Sequence, residues 1–333
     1  MSFDVDYDVI QLPLTDKNSR EQAKNFCIAN GLDFDEKLDY YCGVFDGDKM
    51  VAGGGFDGNV IKCVAVDKEA RSGGVTNILI TRLRSVLNAD GVTEIFVFTK
   101  TKNKEIFESL GFFVIATADD ALLLSSSPRG IKRYCDGLAQ IKTDGNNGAA
   151  VVNANPFTLG HRYLIRQAKK TCDRLYVFVV EEDLSVFKFA DRFELVKKGV
   201  ADIEGVTVIP SGKYVISKTT FPTYFLKESG LIDKNCAQLD ADIFGRYVAP
   251  ALNIKRRYVG KEPTDVVTAD YNVQLKKVLS KYGVDLVEFE RFEVDGEAVS
   301  ASTVRKCLDE KNFDKLKKIT PQTTFEFLTK QNG

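Results

Sequence analysis

Histidine is nearly missing from this sequence: one residue, His161, in 333. The seven cysteines, Cys27, Cys42, Cys63, Cys135, Cys172, Cys236 and Cys307, are scattered, and no two form a CxxC pair. Zinc sites take several such ligands at close spacing, so no protein-held metal is expected. An odd, dispersed set of thiols suits a reducing cytoplasm, with the side chains packed as small hydrophobes. Neither sign of charge is in excess: 46 Lys and Arg face 47 Asp and Glu, for a net charge of −1. With no basic field to draw a polyanion, neither nucleic acid nor an anionic membrane is expected as a partner. Apolar runs such as 175–180 are far shorter than the roughly 20 residues of a membrane span. Residues 1–6 are acidic and lack the basic and apolar regions of a secretory signal. What is present is ordinary globular composition, 44% hydrophobic and 28% charged, over a length that suits about two domains.

The chain is organised around residues 149–168. Ala149 to Val152 form a short apolar run, 153–160 read as a loop, and a helix opens at about His161 with Leu164, Ile165 and Ala168 on one face. A strand that enters a helix through a small polar loop presents unpaired N–H groups and the positive end of the helix dipole, which together favour an anion. Gly160 lets a phosphate come close to the backbone. Locally, a histidine beside a tight turn is as compatible with a plain surface turn as with an anion site. A second stretch of the same kind follows the turn Asp295-Gly296: Ser300, Ser302 and Thr303 precede Arg305 at the start of another helix. Ser302 is the expected N-cap, and Arg305 on the first turn could reach an anion held there. Between the two, Gly260, Lys261, Glu262 and Pro263 follow a strand and precede a helix. Around these motifs the second half alternates strands (174–180, 206–210, 257–260, 286–289) with helices (161–171, 189–202, 221–229, 242–252, 265–282, from 302, 323–329), which implies a parallel sheet. Ligands of such sheets bind at the carboxyl ends of the strands. Lys188 and Arg192 could add positive charge or lie on a solvated helix face.

The first half reads differently. A strand (7–14) and a helix capped by Thr15 or Asp16 precede three antiparallel strands (40–45, 50–56, 60–66) with hairpin turns at Gly47 and Gly58. A glycine-containing loop (71–74), a helix (75–87), a strand (93–99), a helix (104–110) and a strand (112–116) follow. Residues 127–141 read as a connecting helix, and 143–148 as a linker rich in Gly, Asn and Asp.

Three resemblances follow from these residues. Residues 7–126 resemble the GNAT (Gcn5-related N-acetyltransferase) fold, and Arg71, Gly73 and Gly74, with Thr76 in place of a final small residue, are similar to that family's coenzyme A pyrophosphate loop. This implies a coenzyme A or pantetheine moiety as a ligand. Thr158-x-Gly160-His161 and Ser300-Ala-Ser302-Thr303-x-Arg305 resemble the T/HxGH and ISSTxxR signatures of the nucleotidylyltransferase superfamily. Asn153, Ala154, Asn155, Thr158, Gly160, Gly260, Glu262, Ser300, Ser302 and Thr303 are then implied as nucleotide contacts, with His161 and Arg305 as catalytic groups. Over nearly its whole length the chain is similar to the [citrate (pro-3S)-lyase] ligase family, in which a GNAT-like domain (here 1–126) and a connector (127–148) precede a Rossmann-like nucleotidylyltransferase domain (149–333). Lys261 stands where that family implies an acidic residue. The resemblance implies activation of acetate by ATP and Mg²⁺ to acetyl-AMP. The acetyl group then passes to the thiol of the prosthetic group on the acyl-carrier subunit of citrate lyase. Transfer of AMP to phosphopantetheine or a mononucleotide is the alternative, and an acetyltransferase with a nucleotide-sensing half is a further one. The aromatic segment 221–225 reads as packed core or as a wall of the acetate pocket.

Overall fold

The computed structural model describes residues 7–70, 74–181, 185–216, 234–261 and 266–330. The chain divides into two compact units, Met1–Gly130 and Ile131–Gly333.

The first unit is a seven-stranded sheet in the order β1-β2-β3-β4-β5-β7-β6. Its strands are β1 (Asp8–Gln11), β2 (Tyr40–Asp46), β3 (Lys49–Asp57), β4 (Val60–Val66), β5 (Phe96–Lys100), β6 (Phe113–Thr117) and β7 (Ala121–Ser125). All neighbours are antiparallel except β4 and β5, which pair in parallel only at Val60 with Phe96 and Ile61 with Val97. Alternation along β2 shows why the sheet takes a helix on each face. Tyr40, Cys42 and Val44 pack with Leu79, Leu83 and Leu87 of α2 (Val75–Ala89). Tyr41 and Phe45 turn to Ala23 and Cys27 of α1 (Lys17–Ala29). Asp16 is the cap of α1, its carboxylate accepting from Ser19 N–H at 2.8 Å. Helix α3 (Lys104–Ser109) precedes β6. Strand β7 has no counterpart in the sequence reading, where its run of leucines fell outside every assigned element.

The second unit opens with α4 (Gly130–Ala139). Tyr134 of that helix donates to the Ser211 carbonyl at 2.7 Å and packs on Tyr214. The residues expected to form the 127–148 connector are therefore divided, and their helix is integral to this unit. The 143–148 linker is ordered structure too. Buried Asn147 opens β8 (Asn147–Val152) and donates to the Thr143 and Leu252 carbonyls at 2.7 and 2.9 Å.

Five parallel strands follow the order β10-β9-β8-β11-β12. They are β8, β9 (Arg174–Val179), β10 (Val206–Pro210), β11 (Ile254–Gly260) and β12 (Asp285–Phe289). The chain builds outward from β8 to β10, then returns to the other side of β8, so the strand order reverses between β8 and β11. In a doubly wound sheet that reversal opens a crevice at the carboxyl ends. Helices α5 (Leu159–Lys169) and α6 (Phe189–Gly199) pack Ile165, Ala168, Leu195 and Val196 on the face that carries Val152, Val177 and Tyr258. The opposite face takes α7 (Lys234–Ile243), a π-helical turn at Phe244–Val248, α8 (Ala249–Ala251) and α9 (Val266–Leu279). Helix α7 starts well before the expected 242, because every residue from Cys236 to Ile243 is buried and no amphipathic stripe marks it. A short hairpin, β13 (Glu293–Val294) and β14 (Glu297–Ala298), leads to α10 (Ala301–Asp309), α11 (Phe313–Ile319) and α12 (Gln322–Lys330). The aromatic segment 221–225 lies outside the described residues. Among the described residues no helix is long and apolar enough to cross a membrane. All seven cysteines are free, five of them buried.

Candidate nucleotide site

Strand β8 ends at the reversal point, and the loop beyond it is held by its own polar atoms. Ala154 is buried with φ +50°, and the Asn155–Pro156 peptide is cis. The Arg192 guanidinium, fully buried, donates to the carbonyls of Asn153 and Val180 at 2.8 and 2.7 Å and to that of Phe187 at 3.0 Å. Asn153 Oδ1 accepts from Arg192 and from Ser185 Oγ, and Asn155 Oδ1 accepts from Phe187 N–H. Arg192 is thus neither solvated nor offered to a ligand; its positive charge braces the loop from below. The side-chain oxygens of Asn153 and Asn155 serve the same end.

Helix α5 begins at Leu159 rather than His161, with Thr158 as N-cap. Thr158 and His161 form a reciprocal capping box: His161 N–H donates to Thr158 Oγ1 at 3.3 Å, and Thr158 N–H donates to His161 Nδ1 at 3.1 Å. Thr158 Oγ1 also lies 2.8 Å from Nδ1. A backbone N–H can only donate, so Nδ1 carries the lone pair and the neutral ring carries its proton on Nε2. Phe157 stacks on the imidazole with ring centroids 5.8 Å apart. Phe157 in turn fills the space that Gly199 leaves open on α6. Burial, with the Arg291 charge as a smaller contribution, pushes the His161 pKa down to about 4. The ring is therefore neutral at physiological pH, with a donor nitrogen free of the cap.

The second helix start is capped by Ser300, not Ser302. Ser300 has extended backbone, φ −126° and ψ 159°, and its Oγ accepts from Thr303 N–H at 3.0 Å and lies 2.9 Å from Thr303 Oγ1. Ser302 lies inside the first turn, where its exposed hydroxyl accepts from Arg305 Nη2 at 3.1 Å. Arg305 Nη1 donates to the Asn155 carbonyl at 2.6 Å, joining residues 150 apart in sequence. The backbones meet directly as well: a Cβ on Gly160 would stand 2.7 Å from the Val299 carbonyl oxygen. His161 and Arg305, with two helix N-termini, thus gather over the end of β8.

At the end of the neighbouring strand, the Gly260 carbonyl accepts from Asn272 Nδ2 at 3.1 Å, and nothing lies within 4 Å of where its Cβ would be. Glu262 lies outside the described residues. Lys261, exposed, is ion-paired to Glu290. Sequence reasoning missed Arg291, which carries no motif. Its Nε donates to the Lys261 carbonyl at 3.2 Å. The next residue, Phe292, packs on Tyr163 of α5 with centroids 5.4 Å apart and accepts from Val299 N–H at 2.8 Å. Arg291 is close enough to His161 for its charge to act on the imidazole. In the first unit, Gly74 caps α2 in the left-handed region at φ +70° and Thr76 lies half-buried on its first turn; Arg71 and Gly73 lie outside the described residues. Among the described residues no group of three His, Cys, Asp or Glu side chains could hold a metal ion.

A family model for the citrate lyase ligase C-terminal domain matches residues 147–328. The [citrate [pro-3S]-lyase] ligase of Haemophilus influenzae is 38% identical over 95% of this chain and 97% of its own. Those of Klebsiella pneumoniae and Escherichia coli are 39% and 37% identical, over 95% and 92% of this chain and 94% and 89% of theirs. The chain belongs to the citrate lyase ligase family. In this citrate lyase ligase, the Arg305 bond to the Asn155 carbonyl and the close approach of Gly160 to Val299 bring the Thr158–His161 and Ser300–Arg305 segments together.

Proposed function

We propose that this citrate lyase ligase activates acetate with ATP and passes the acetyl group to the thiol-bearing prosthetic group on the acyl-carrier subunit of citrate lyase. An acetate oxygen attacks the α-phosphorus, the bond to the bridging oxygen of pyrophosphate breaks, and acetyl-AMP forms. The carrier thiol, on losing its proton, then attacks the acyl carbon, and AMP leaves with the oxygen that acetate supplied. The observation that carries this reading is the 2.6 Å bond from Arg305 to the Asn155 carbonyl, which seats both anion-ready helix starts over one crevice.

Charge accumulates on the leaving pyrophosphate as the bond breaks, so positioned donors do most of the chemistry. In this reading His161 Nε2–H and the Arg305 guanidinium stabilise that charge, while the N–H groups at the starts of α5 and α10 and the Ser302 hydroxyl hold phosphate oxygens. Thr158 acts by fixing the imidazole. Gly260 borders the adenosine side. Mg²⁺ enters with the triphosphate as part of the substrate. In this reading a coenzyme A or pantetheine moiety contacts Gly74 and Thr76 at the start of α2. Acetate-dependent exchange of labelled pyrophosphate into ATP tests the first step, and AMP release on adding the thiol carrier tests the second. Formation of a stable dinucleotide in place of AMP would support the adenylyltransferase alternative.

A further inference from the structure

The first unit holds a pair of thiols that the proposed chemistry does not use. Strand β4 is bulged: its register with β3 slips between Gly53 and Gly55, so that Cys63 and Val64 stand opposite Gly54. Cys63 has φ +54°, a left-handed conformation uncommon for a residue with a side chain. A bulge re-aims the side chain that it carries. Strict alternation from Ile61 would put Cys63 on the α2 face. Instead Ile61, Val64 and Val66 pack on that face, and Cys63 turns to the other, against Cys27 of α1, Tyr41 and Phe45.

Cys27 is fully buried. Its Sγ donates to the Cys63 carbonyl at 3.9 Å and lies 3.5 Å from Tyr41 Oη. Cys63 is half-buried, and its Sγ accepts from Asp35 N–H at 3.4 Å and donates to the Asp33 carbonyl at 3.7 Å. The neighbouring Lys62 ammonium donates to the carboxylates of Asp35 and Asp57, at 2.9 Å each. The two thiols also act on each other. Hydrogen bonding from Cys63 holds the Cys27 thiol below its ordinary pKa, and the same interaction pushes that of Cys63 upward. The pair therefore gives up its first proton more readily than an ordinary cysteine does. Burial keeps the Tyr41 hydroxyl protonated, so it can donate to the thiolate. The other thiols differ: burial pushes Cys42 up to about 12 and Cys135, also half-buried, up to about 11.

We propose that Cys27 and Cys63 are a redox-active dithiol, which peroxide closes to a disulfide that joins α1 to the bulge of β4. Cys63, the sulfur within reach of solvent, attacks one peroxide oxygen as the thiolate. The O–O bond breaks and hydroxide leaves, giving a sulfenic acid on Cys63. The Cys27 thiolate then attacks that sulfur, the S–O bond breaks and a second hydroxide leaves. The two thiol protons convert both hydroxides to water, and two electrons have passed from the sulfurs to one peroxide. A thiol reductant reopens the bond by exchange.

The reduced full-length chain, treated with rising hydrogen peroxide, alkylated in denaturant and digested without reductant, tests it by peptide mass mapping. The expected product is one linked pair, Cys27 with Cys63, lighter than its two thiol peptides by two hydrogens. It forms at peroxide levels that leave Cys135 open to alkylation, and dithiothreitol returns both thiols. In Cys63→Ser, Cys27 stays a thiol at those levels. In Cys27→Ser, Cys63 passes to the sulfinic acid and no link forms. Sulfinic acid at Cys63 of the wild type without a link overturns the proposal. So does a link from Cys27 to any other cysteine, or loss of the Cys135 thiol before that of Cys63. If Cys27→Ser does not fold, the wild-type map and Cys63→Ser decide.

Discussion

At the scale of residues, the imidazole of His161 is the group with the most tightly defined state. Its Nδ1 is committed to the cap and its proton sits on Nε2, aimed by Thr158 and flanked by Phe157. In the proposed mechanism, replacing it with alanine removes a donor to the leaving pyrophosphate, and such donors are worth about 3 kcal/mol in the barrier. His161→Ala should therefore lower the exchange rate about a hundredfold or more while the circular dichroism spectrum is retained. A folded pKa of about 4, against 6.5 as the ordinary value, also makes a stability statement. Between those two values the unfolded chain holds the proton and the folded chain does not. Stability should fall as pH drops from about 6.5 toward 4, and this part of the slope should vanish in His161→Ala. Thermal unfolding of both proteins at pH 7 and pH 5 measures it. Because the chain has one histidine, its titration can be followed by NMR as a single imidazole; bound ATP should raise the pKa by adding negative charge beside the ring.

At the scale of elements, the close approach of Gly160 to the Val299 carbonyl is the joint between the two signatures. Gly160→Ala is locally acceptable to a helix, so its effect should be selective. The new methyl group would push the start of α10 from that of α5, raising the KM for ATP about tenfold while helix content is unchanged. Thr158→Ala should cost about 1 kcal/mol of stability, a usual value for a lost cap, and reduce exchange by freeing the ring; Thr158→Ser should restore both. How much of this was legible in the sequence differs by element. The strand–loop–helix at 149–168 and the helix after 300 carry their own turn chemistry and apolar spacing, so both were readable. Ser300 and Ser302 have equal capping chemistry, and only the extended backbone at Ser300 separates them. Helix α7 gave no periodic signal because it is buried all round. Arg192 and Arg291 resemble any other arginine until the fold sets one beneath the loop and brings the charge of the other to bear on His161.

At the scale of the whole molecule, the two compact units divide the proposed chemistry. Residues 131–333 contain both signatures, the sheet that carries them and α4, which packs into that sheet's unit through Tyr134. Expressed alone, this segment should keep acetate-dependent pyrophosphate exchange within about tenfold of the full chain. Acetylation of the carrier should fall much further, if the first unit recognises the pantetheine arm. Loss of exchange in a folded 131–333 fragment would instead make the first unit part of adenylation. The domain boundary was less legible than the domains, because a stretch rich in Gly, Asn and Asp looks like a tether whether it swings free or, as at Asn147, is fastened into a strand.

The strand order carries a consequence for biosynthesis. The inner strand, β8, is made early in its unit, but its partner β11 follows about a hundred residues later, and Arg305 later still. A ribosome-bound chain halted before residue 300 can assemble most of the sheet and expose the first helix start. It still lacks the guanidinium that fastens the Asn155 loop. The nascent enzyme should thus be unable to consume ATP until nearly all of it has been translated.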